Sequence, residues 1–461
     1  MRADRRMVGW ADGKLLFAAA LLSVHPTIRL SAQDTSAIDR GVRIGIVYRP
    51  GVRPGIVVLP GGQTSLDSVR AIITRDLDYS DRFEVITMPG ADAASLGPAQ
   101  PPVTTPPPRT APGLNYPLYR ALGADFAIEA RRVGDTTVVV VHDVTAGGIR
   151  RAFRQVLPAL GHSGFRLAVH RVADQVLQAT LGAPGIAATR ILFVRDGKVY
   201  TIDQDGADIG LVSSSDHQAM SPAWARNGRQ FSYMEFSEGH GQLFVQDVAT
   251  HRRVSVVTTG KALDFTPAFS PDGRTLAFSR ATEEGTDVYT VNMRDNCCLQ
   301  RLTRGGFSDN LSPTYSPDGQ RIAFVSTRPG LPQIYVMSAD GTDQQLFAPF
   351  DYGVTGSSNA PEWSPDGQSV AFHRDVGGTL QVFVLDVRTR SVRQLTSLGR
   401  NEDPTWAPDS RHLAFVSDRS GYRQLWVIDL ETGRIRPLLQ QSGARLPAWS
   451  PRIPEAVPTN P

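Results

Sequence analysis

Residues 266–280 read Thr-Pro-Ala-Phe-Ser-Pro-Asp-Gly-Arg-Thr-Leu-Ala-Phe-Ser-Arg, and the rest of the fold is read outward from them. Close relatives of this stretch begin at Ser221, Ser312, Ala360 and Asp403, and a truncated one, Leu-Pro-Ala-Trp-Ser-Pro, begins at Leu446. The leading prolines stand at 222, 267, 313, 361, 404 and 447, so successive copies start 43 to 48 residues apart. Two residues after each proline comes an aromatic: Trp224, Phe269, Tyr315, Trp363, Trp406 and Trp449. A fixed period of this length marks a repeat architecture.

Each copy carries four strand signals. The Pro-x-aromatic segment ends in a Pro-Asp-Gly turn, in which proline presets φ and glycine is free to take a positive φ. An apolar run such as Leu276-Ala-Phe follows. Next comes an alternating segment such as Ile334-Tyr-Val-Met, Val382-Phe-Val-Leu or Leu425-Trp-Val-Ile, the period-two mark of a half-buried strand. The fourth signal is shorter, as in Leu299-Gln-Arg-Leu-Thr and Val392-Arg-Gln-Leu-Thr. Radially arranged four-stranded units of this length make a β-propeller. The last copy runs out of chain after its first strand, and its missing strands are expected at Thr189–Val194, Lys198–Asp203 and Ile209–Ser213. The expectation is therefore a six-bladed β-propeller over 187–452, closed by joining N- and C-terminal strands in one blade so that no sheet edge is left free. Residues 453–461 are a tail.

The front of the chain differs. Strands are expected at Val42–Tyr48, Phe83–Ile86, Asp125–Ala130 and Thr136–Val144. Helices are expected from about Ser65 to Tyr79 and over Gly164–Leu181, where Phe165, Ala168, Val169, Val172, Ala173, Val176 and Leu177 share one face. This makes 33–186 a small N-terminal α/β domain. It is interrupted by 89–113, whose eight prolines in 25 residues favour an extended loop.

Of 461 residues, 41% are hydrophobic and 20% charged, enough for a real core. The formal charge of +3 is carried by residues 1–32, which hold Arg2, Arg5, Arg6, Lys14 and Arg29 against Asp4 and Asp12. The remainder is neutral, so the clustered basic face that nucleic acid requires is not expected. Residues 1–32 read as a signal peptide: a basic start, the apolar run Leu15–Val24, and a small-residue site ending at Ala32. Ten helical residues rise about 15 Å, half a bilayer core, so a membrane span is not expected either. The only cysteines, Cys297 and Cys298, are adjacent. They could pair as a vicinal disulfide, but two small hydrophobes in a loop is the expected arrangement.

Several segments together resemble the TolB family of the Gram-negative Tol–Pal system. They are Ala168-Val-His-Arg-Val-Ala-Asp-Gln-Val-Leu-Gln-Ala-Thr-Leu-Gly followed by Gly185-Ile-Ala-Ala-Thr-Arg-Ile-Leu-Phe-Val, Arg75-Asp-Leu-x-x-Ser-x-x-Phe-Glu-Val-Ile, Leu122-Gly-Ala-Asp-Phe, and Pro447-Ala-Trp-Ser-Pro near the end. The resemblance covers nearly all of 40–451. Loop 89–113 looks like an insertion, and 42–64 aligns poorly. The resemblance implies a periplasmic, non-enzymatic adaptor that serves outer-membrane integrity and envelope constriction at division. It further implies two partners: the peptidoglycan-associated lipoprotein Pal at the propeller mouth, and a TolA-type inner-membrane protein at the N-terminal segment.

Chemistry is sparse. Gly161-His-Ser-Gly lacks the final glycine of a nucleophile elbow, because Phe165 stands there. The run Asp203-Gln-Asp-Gly-Ala-Asp208 superficially suggests a Ca²⁺ loop but occupies an ordinary inter-strand turn and lacks a bidentate glutamate. His170 on the long helix reads as packed or exposed rather than catalytic. No catalytic residue, metal or cofactor is expected. The loops entering the innermost strands converge at one channel mouth, where mixed aromatic and polar groups suit protein recognition. The candidates there are His217, Phe265, Phe307, Asn310, Asn359 and Asn401. Two other readings stay open: an exported propeller with a catalytic or ligand-binding channel (a lactonase or peptidase accessory), and a paralogue serving another envelope complex. Acidic groups converging in the channel would favour the first, although the inward positions look dominated by Trp, Phe, Tyr and Ala.

Overall fold

The structure, a computed structural model, describes residues 53–88 except 62, then 114–214, 216–237, 240–256, 262–306, 308–349 and 356–454. The expected leader, the strand at Val42–Tyr48, loop 89–113, Phe307 and most of the tail lie outside the described residues.

In the front part, five strands form one sheet in the order Glu84–Ile86, Gly55–Val58, Phe126–Val133, Thr136–Asp143, Gly148–Gln155. The first three run parallel and the last two pairings are antiparallel. The helices Asp67–Tyr79 and Phe165–Leu181 cover one face. Val169, Val172 and Val176 of the longer helix pack with Ile73, Leu77, Ile128 and Val141, each buried side chain contributing about 1.5–3 kcal/mol. Gly182 ends that helix at φ 69°, its N–H donating to the Gln178 carbonyl, a left-handed cap that suits glycine. A short helix, Tyr116–Ala121, packs Tyr119 against Val57 and Ala127 of the other face.

The repeat region folds as a β-propeller of antiparallel four-strand meanders. Four sheets have four strands each, and two successive meanders merge into one larger sheet through a single parallel pair, Gly241 with Leu263. The chain's last described strand, Arg445–Trp449, pairs with Arg190–Arg195, so residues 190–211 and 445–449 share a sheet. The apolar runs become second strands buried on both faces, as at Ile322-Ala-Phe-Val. Phe278 stacks on Tyr289 and Phe372 on Phe383, directly across the strand pairs, an arrangement that adds to their area burial.

The residue before each leading proline takes a left-handed conformation: Ser221, Thr266, Ser312, Ala360, Asp403 and Leu446 have φ between 46° and 54°. At each one the register of the first strand slips against the second. A non-glycine residue held there costs about 1–2 kcal/mol. The repeated bulge bends every innermost strand at the same level and re-aims its side chains.

The front part docks on the propeller through buried ions. His170 is fully buried, with Nδ1 2.7 Å from Asp76 and Nε2 3.4 Å from Asp203. Burial opposes a charge on the ring, but the hydrogen bonds to Asp203 and Asp76 outweigh it and raise His170 to about 10. Asp203 also receives Arg166 at 3.1 Å and Arg190 at 3.0 Å. A second node places His412 2.8 Å from Asp409 and 3.4 Å from Asp81, while Arg434 reaches back to Asp78 and Asp81 at 2.9 and 3.0 Å. The expected Asp203–Asp208 turn is present, and its carboxylates are committed to arginines: Asp203 to Arg166 and Arg190, Asp205 to Arg166 and Arg75, Asp208 to Arg190. Asp174 of the same helix accepts the Ala187 and Ala188 N–H groups at 2.8 and 3.0 Å, tying it to the segment that enters the propeller.

One expectation is overturned. Cys297 and Cys298 are not free small hydrophobes but are joined as a vicinal disulfide, at the turn between Gly285–Asn292 and the edge strand Cys297–Arg301. Left-handed φ values at Asn296 and Cys298 bring the two thiols together there. Among the described residues no helix is long and apolar enough to cross a membrane.

Candidate functional site

The bulged first strands surround a cavity of about 600 Å³, walled by the leading prolines 222, 267, 313, 361, 404 and 447 and by their neighbours. Proline is tolerated in this position because each of these strands is the edge of its meander; only Leu263–Phe269 has a second partner, and that pairing is confined to Leu263, away from Pro267. Much of the wall is apolar or hydroxylic, as the sequence suggests. It also carries Arg226, Glu362, His373, Asp403 and Arg452, the last with Nε donating to the Gly185 carbonyl at 2.8 Å.

Glu362, Asp403 and His373 gather in one corner, where the strands Ser358–Trp363 and Asn401–Trp406 meet, while Arg226 follows the strand Gln218–Trp224 of another meander. Glu362 Oε1 accepts the Trp406 N–H at 3.1 Å and the Thr405 hydroxyl at 3.2 Å. The Thr405 hydroxyl in turn accepts the Trp449 N–H at 3.0 Å. Glu362 opens only to the channel, and burial pushes its carboxyl up to about 7 against these hydrogen bonds and the attraction of Arg226. Burial and the nearby charge of Glu402 raise Asp403 to about 7 as well. His373 moves the other way, to about 4, because burial and Arg400 both disfavour its charge. Its Nδ1 accepts the Asp403 backbone N–H at 3.1 Å. The neutral ring therefore carries its proton on Nε2.

The structure treats the candidate mouth residues unequally. Asn359 lines the cavity and lies directly across the strand pair from His373. His217 is half-buried, and its carbonyl receives Lys198 Nζ at 2.5 Å. Phe265 is half-buried against Met234, Leu276 and Phe278. Asn310 and Asn401 are fully buried. Asn310 donates to Asp287 at 2.9 Å and accepts from Ser326 at 2.8 Å. Asn401 repeats this with Gln381 at 2.8 Å and Arg419 at 2.9 Å. Each clamps its first strand to the third strand of the preceding meander, so these two side chains hold the mouth rather than line it. Phe307 lies outside the described residues.

Sequence reasoning missed Glu362, Asp403, His373 and Arg226. A signal for two of them existed in the repeat register. The position after the leading proline holds Ala223, Ala268, Thr314, Thr405 and Ala448 in the other copies, and the position before it holds Ser221, Thr266, Ser312, Ala360 and Leu446. Glu362 and Asp403 are the ionisable exceptions in their columns.

The family profile described as the TolB beta propeller domain matches residues 178–351 and 352–458. The chain belongs to the TolB family. Among its relatives, the Tol-Pal system protein TolB of Methylococcus capsulatus is 31% identical over 269 residues, 56% of each protein. That of Francisella tularensis subsp. holarctica is 31% identical over 188 residues, 38% of this chain and 42% of the relative. The match thus spans about half the length of these relatives. The crystal structure of TolB from Acinetobacter baumannii superposes with a TM-score of 0.71 at 23% identity, covering 87% of this chain and 97% of that one. It shares the fold.

Proposed function

We propose that this TolB-family chain is a periplasmic, non-enzymatic adaptor of the Tol–Pal system. In this reading it supports outer-membrane integrity and envelope constriction at division by binding other proteins. A Pal-type lipoprotein docks at the propeller mouth, near His217, Phe265, Phe307 and Asn359, with Asn310 and Asn401 bracing the strands behind. A TolA-type inner-membrane protein takes the N-terminal segment that follows a cleaved leader, 1–32.

The same reading takes 33–186 as the α/β unit and 187–452 as six blades closed through the shared first and last strands. Two observations support that closure: Ala448 pairs with Leu192, and Arg445–Trp449 lies beside Gln218–Trp224 as other first strands lie beside theirs. The observation that carries the function is the channel itself, a cavity of about 600 Å³ into which the first strands of all the repeats project. By linkage, occupancy at one partner site would change affinity at the other.

The test is genetic. In the source bacterium, deleting the gene should sensitise cells to detergent and release periplasmic proteins, and a copy carrying only 1–186 should not restore either property. Deletion without an envelope defect would contradict the adaptor role. A second reading, a ligand-binding or catalytic channel of lactonase or peptidase-accessory type, would draw on Glu362, Asp403 and His373 in the channel wall. Turnover of lactone or peptide by the purified chain, lost in Glu362→Gln, would support that reading instead.

A further inference from the structure

At the docking interface most buried charges have been given partners, although among the described residues Arg436 and Asp174 make no ion pair there. At the docking interface each histidine sits between two carboxylates and each carboxylate cluster meets arginines. The channel corner departs from this pattern. Among the described residues neither Glu362 nor Asp403 has an arginine or lysine nitrogen in ion-pair contact; the cations acting on them, Arg226 for Glu362 and Arg400 and Arg423 for Asp403, act from farther off. Arg400 and Arg423 are instead bound to Glu402, at 3.0 and 3.2 Å. Glu362 uses one carboxyl oxygen for both of its hydrogen bonds, which leaves Oε2 for something else. His373 is only 7% exposed and lines the same cavity, and with Nδ1 committed to the Asp403 N–H its Nε2–H has no partner among the described residues. These groups are open to the channel alone, so a donor there without a protein acceptor and carboxyls there without a close counter-charge are set to gain from a ligand that supplies both.

The missing complement therefore has two parts: a compact cation to face Glu362 and Asp403, and a carbonyl-type acceptor for His373. A lysine or arginine side chain and its own peptide carbonyl supply both. We propose that Glu362, Asp403 and His373 form a recognition pocket in the channel wall for a basic side chain that a partner protein inserts through the mouth. This rests on the reading of the channel as a partner-binding site and names the chemistry it selects.

The pocket also makes recognition proton-linked. Burial pushes the carboxyls of Glu362 and Asp403 up to about 7, Glu402 adding to the rise at Asp403. A cation can be held only when they are ionised, so its arrival expels the protons that remain. The groups facing them are Arg226, Glu402, Arg400, Arg423 and His373. Of these His373, held at about 4, stays neutral through this range, so the carboxyls set the profile.

The first arm of the test uses the 33–461 chain with the peptide acetyl-Gly-Lys-Gly-Gly-amide and its norleucine counterpart, followed by tryptophan fluorescence, since Trp363 and Trp406 adjoin the pocket. The lysine peptide should perturb the signal saturably at about pH 8, roughly tenfold more weakly at about pH 6. The norleucine peptide should not, and Glu362→Gln with Asp403→Asn should abolish the response while melting no lower than the wild type. The second arm titrates the soluble Pal-like domain from the same organism across that range. There the wild type should tighten about tenfold with rising pH and the double variant should not. Equal responses to both peptides, or identical pH profiles for wild type and variant, would overturn the pocket. A lysine response without any Pal binding would uphold the pocket and remove the Pal reading.

Discussion

The docking interface and the channel wall bury the same kinds of side chain and treat them in opposite ways. At the interface His170 is flanked by Asp76 and Asp203 and is driven up to about 10; in the channel His373 has the Asp403 carboxyl 3.7 Å away but is driven down to about 4 by burial and Arg400. Asp409, paired with His412, drops to about 2 in spite of its burial, whereas Asp403, with Glu402 beside it, climbs to about 7. Burial pushes both members of each pair in the same direction, so within these pairs the sign follows the opposite charges at hand; Asp76 shows the limit, staying raised because burial outweighs its contact with His170. Where the fold supplies an opposite charge, the network fixes one domain on the other. Where it does not, the charges are left for something outside the chain to complete.

The largest test of this contrast removes one member of the compensated network. Asp203→Ala would leave His170, Arg166 and Arg190 without their common partner and should destabilise the chain by about 3–5 kcal/mol in denaturant unfolding. Loss of less than about 1 kcal/mol would mean the interface ions are not holding the domains together.

The next test uses pH. A histidine raised to about 10 contributes stability that is complete below its unfolded value near 6.5 and is lost as pH rises from there toward 10. Carboxyls raised to about 7 act otherwise: their ionisation costs stability progressively between about pH 4 and 7. Glu362→Gln should therefore stabilise the chain at about pH 8 by about 1–2 kcal/mol and leave it unchanged near pH 4, whereas His170→Gln should destabilise it most below pH 6.5. A Glu362→Gln variant no more stable than wild type at about pH 8 would erase the contrast.

Asn310→Ala and Asn401→Ala sharpen the contrast on the mouth itself. Each removes a buried clamp between neighbouring meanders and should cost about 1–3 kcal/mol of stability, with partner affinity at saturating folded protein unchanged. A binding defect without a stability loss would return these asparagines to the recognition surface. The smallest effect is expected from reducing Cys297–Cys298, which closes a loop too short to restrict the unfolded chain much; a change in unfolding midpoint worth about 0.5 kcal/mol or less should result.

The propeller was legible because its information is repeated: the Pro-x-aromatic register recurs at every first strand, and no single ambiguous copy matters. The helix Phe165–Leu181 was legible for a related reason, as its apolar face holds through most of five turns. Two strands of the front sheet, Gly55–Val58 and Gly148–Gln155, were not anticipated. The latter reads Gly-Ile-Arg-Arg-Ala-Phe-Arg-Gln and forms an exposed edge, where arginines obscure the alternation and guard the open ladder. The mouth was legible in outline only. Asn310 and Asn401 stand three residues before their leading prolines and are fully buried, as is Ser358 at the same position, whereas Asn359 stands one residue later and lines the cavity. The repeat register held that distinction, because neighbouring strand residues point to opposite sides, but grouping the loop residues by proximity alone concealed it. Glu362 was overlooked for the converse reason: it occupies a position where the other copies are small or hydroxylic, so the repeat pattern hid the exception.

The most direct test of the channel as the binding site is calorimetric titration of the 33–461 chain with the soluble Pal-like domain of the same organism, run beside Ala268→Trp, which fills the channel from a wall position remote in sequence from the charged corner. Both proteins should melt alike. Saturable one-to-one binding by the wild type, weakened at least about tenfold by the indole, is the predicted result. Equal affinity of the two proteins would contradict it and move recognition away from the channel.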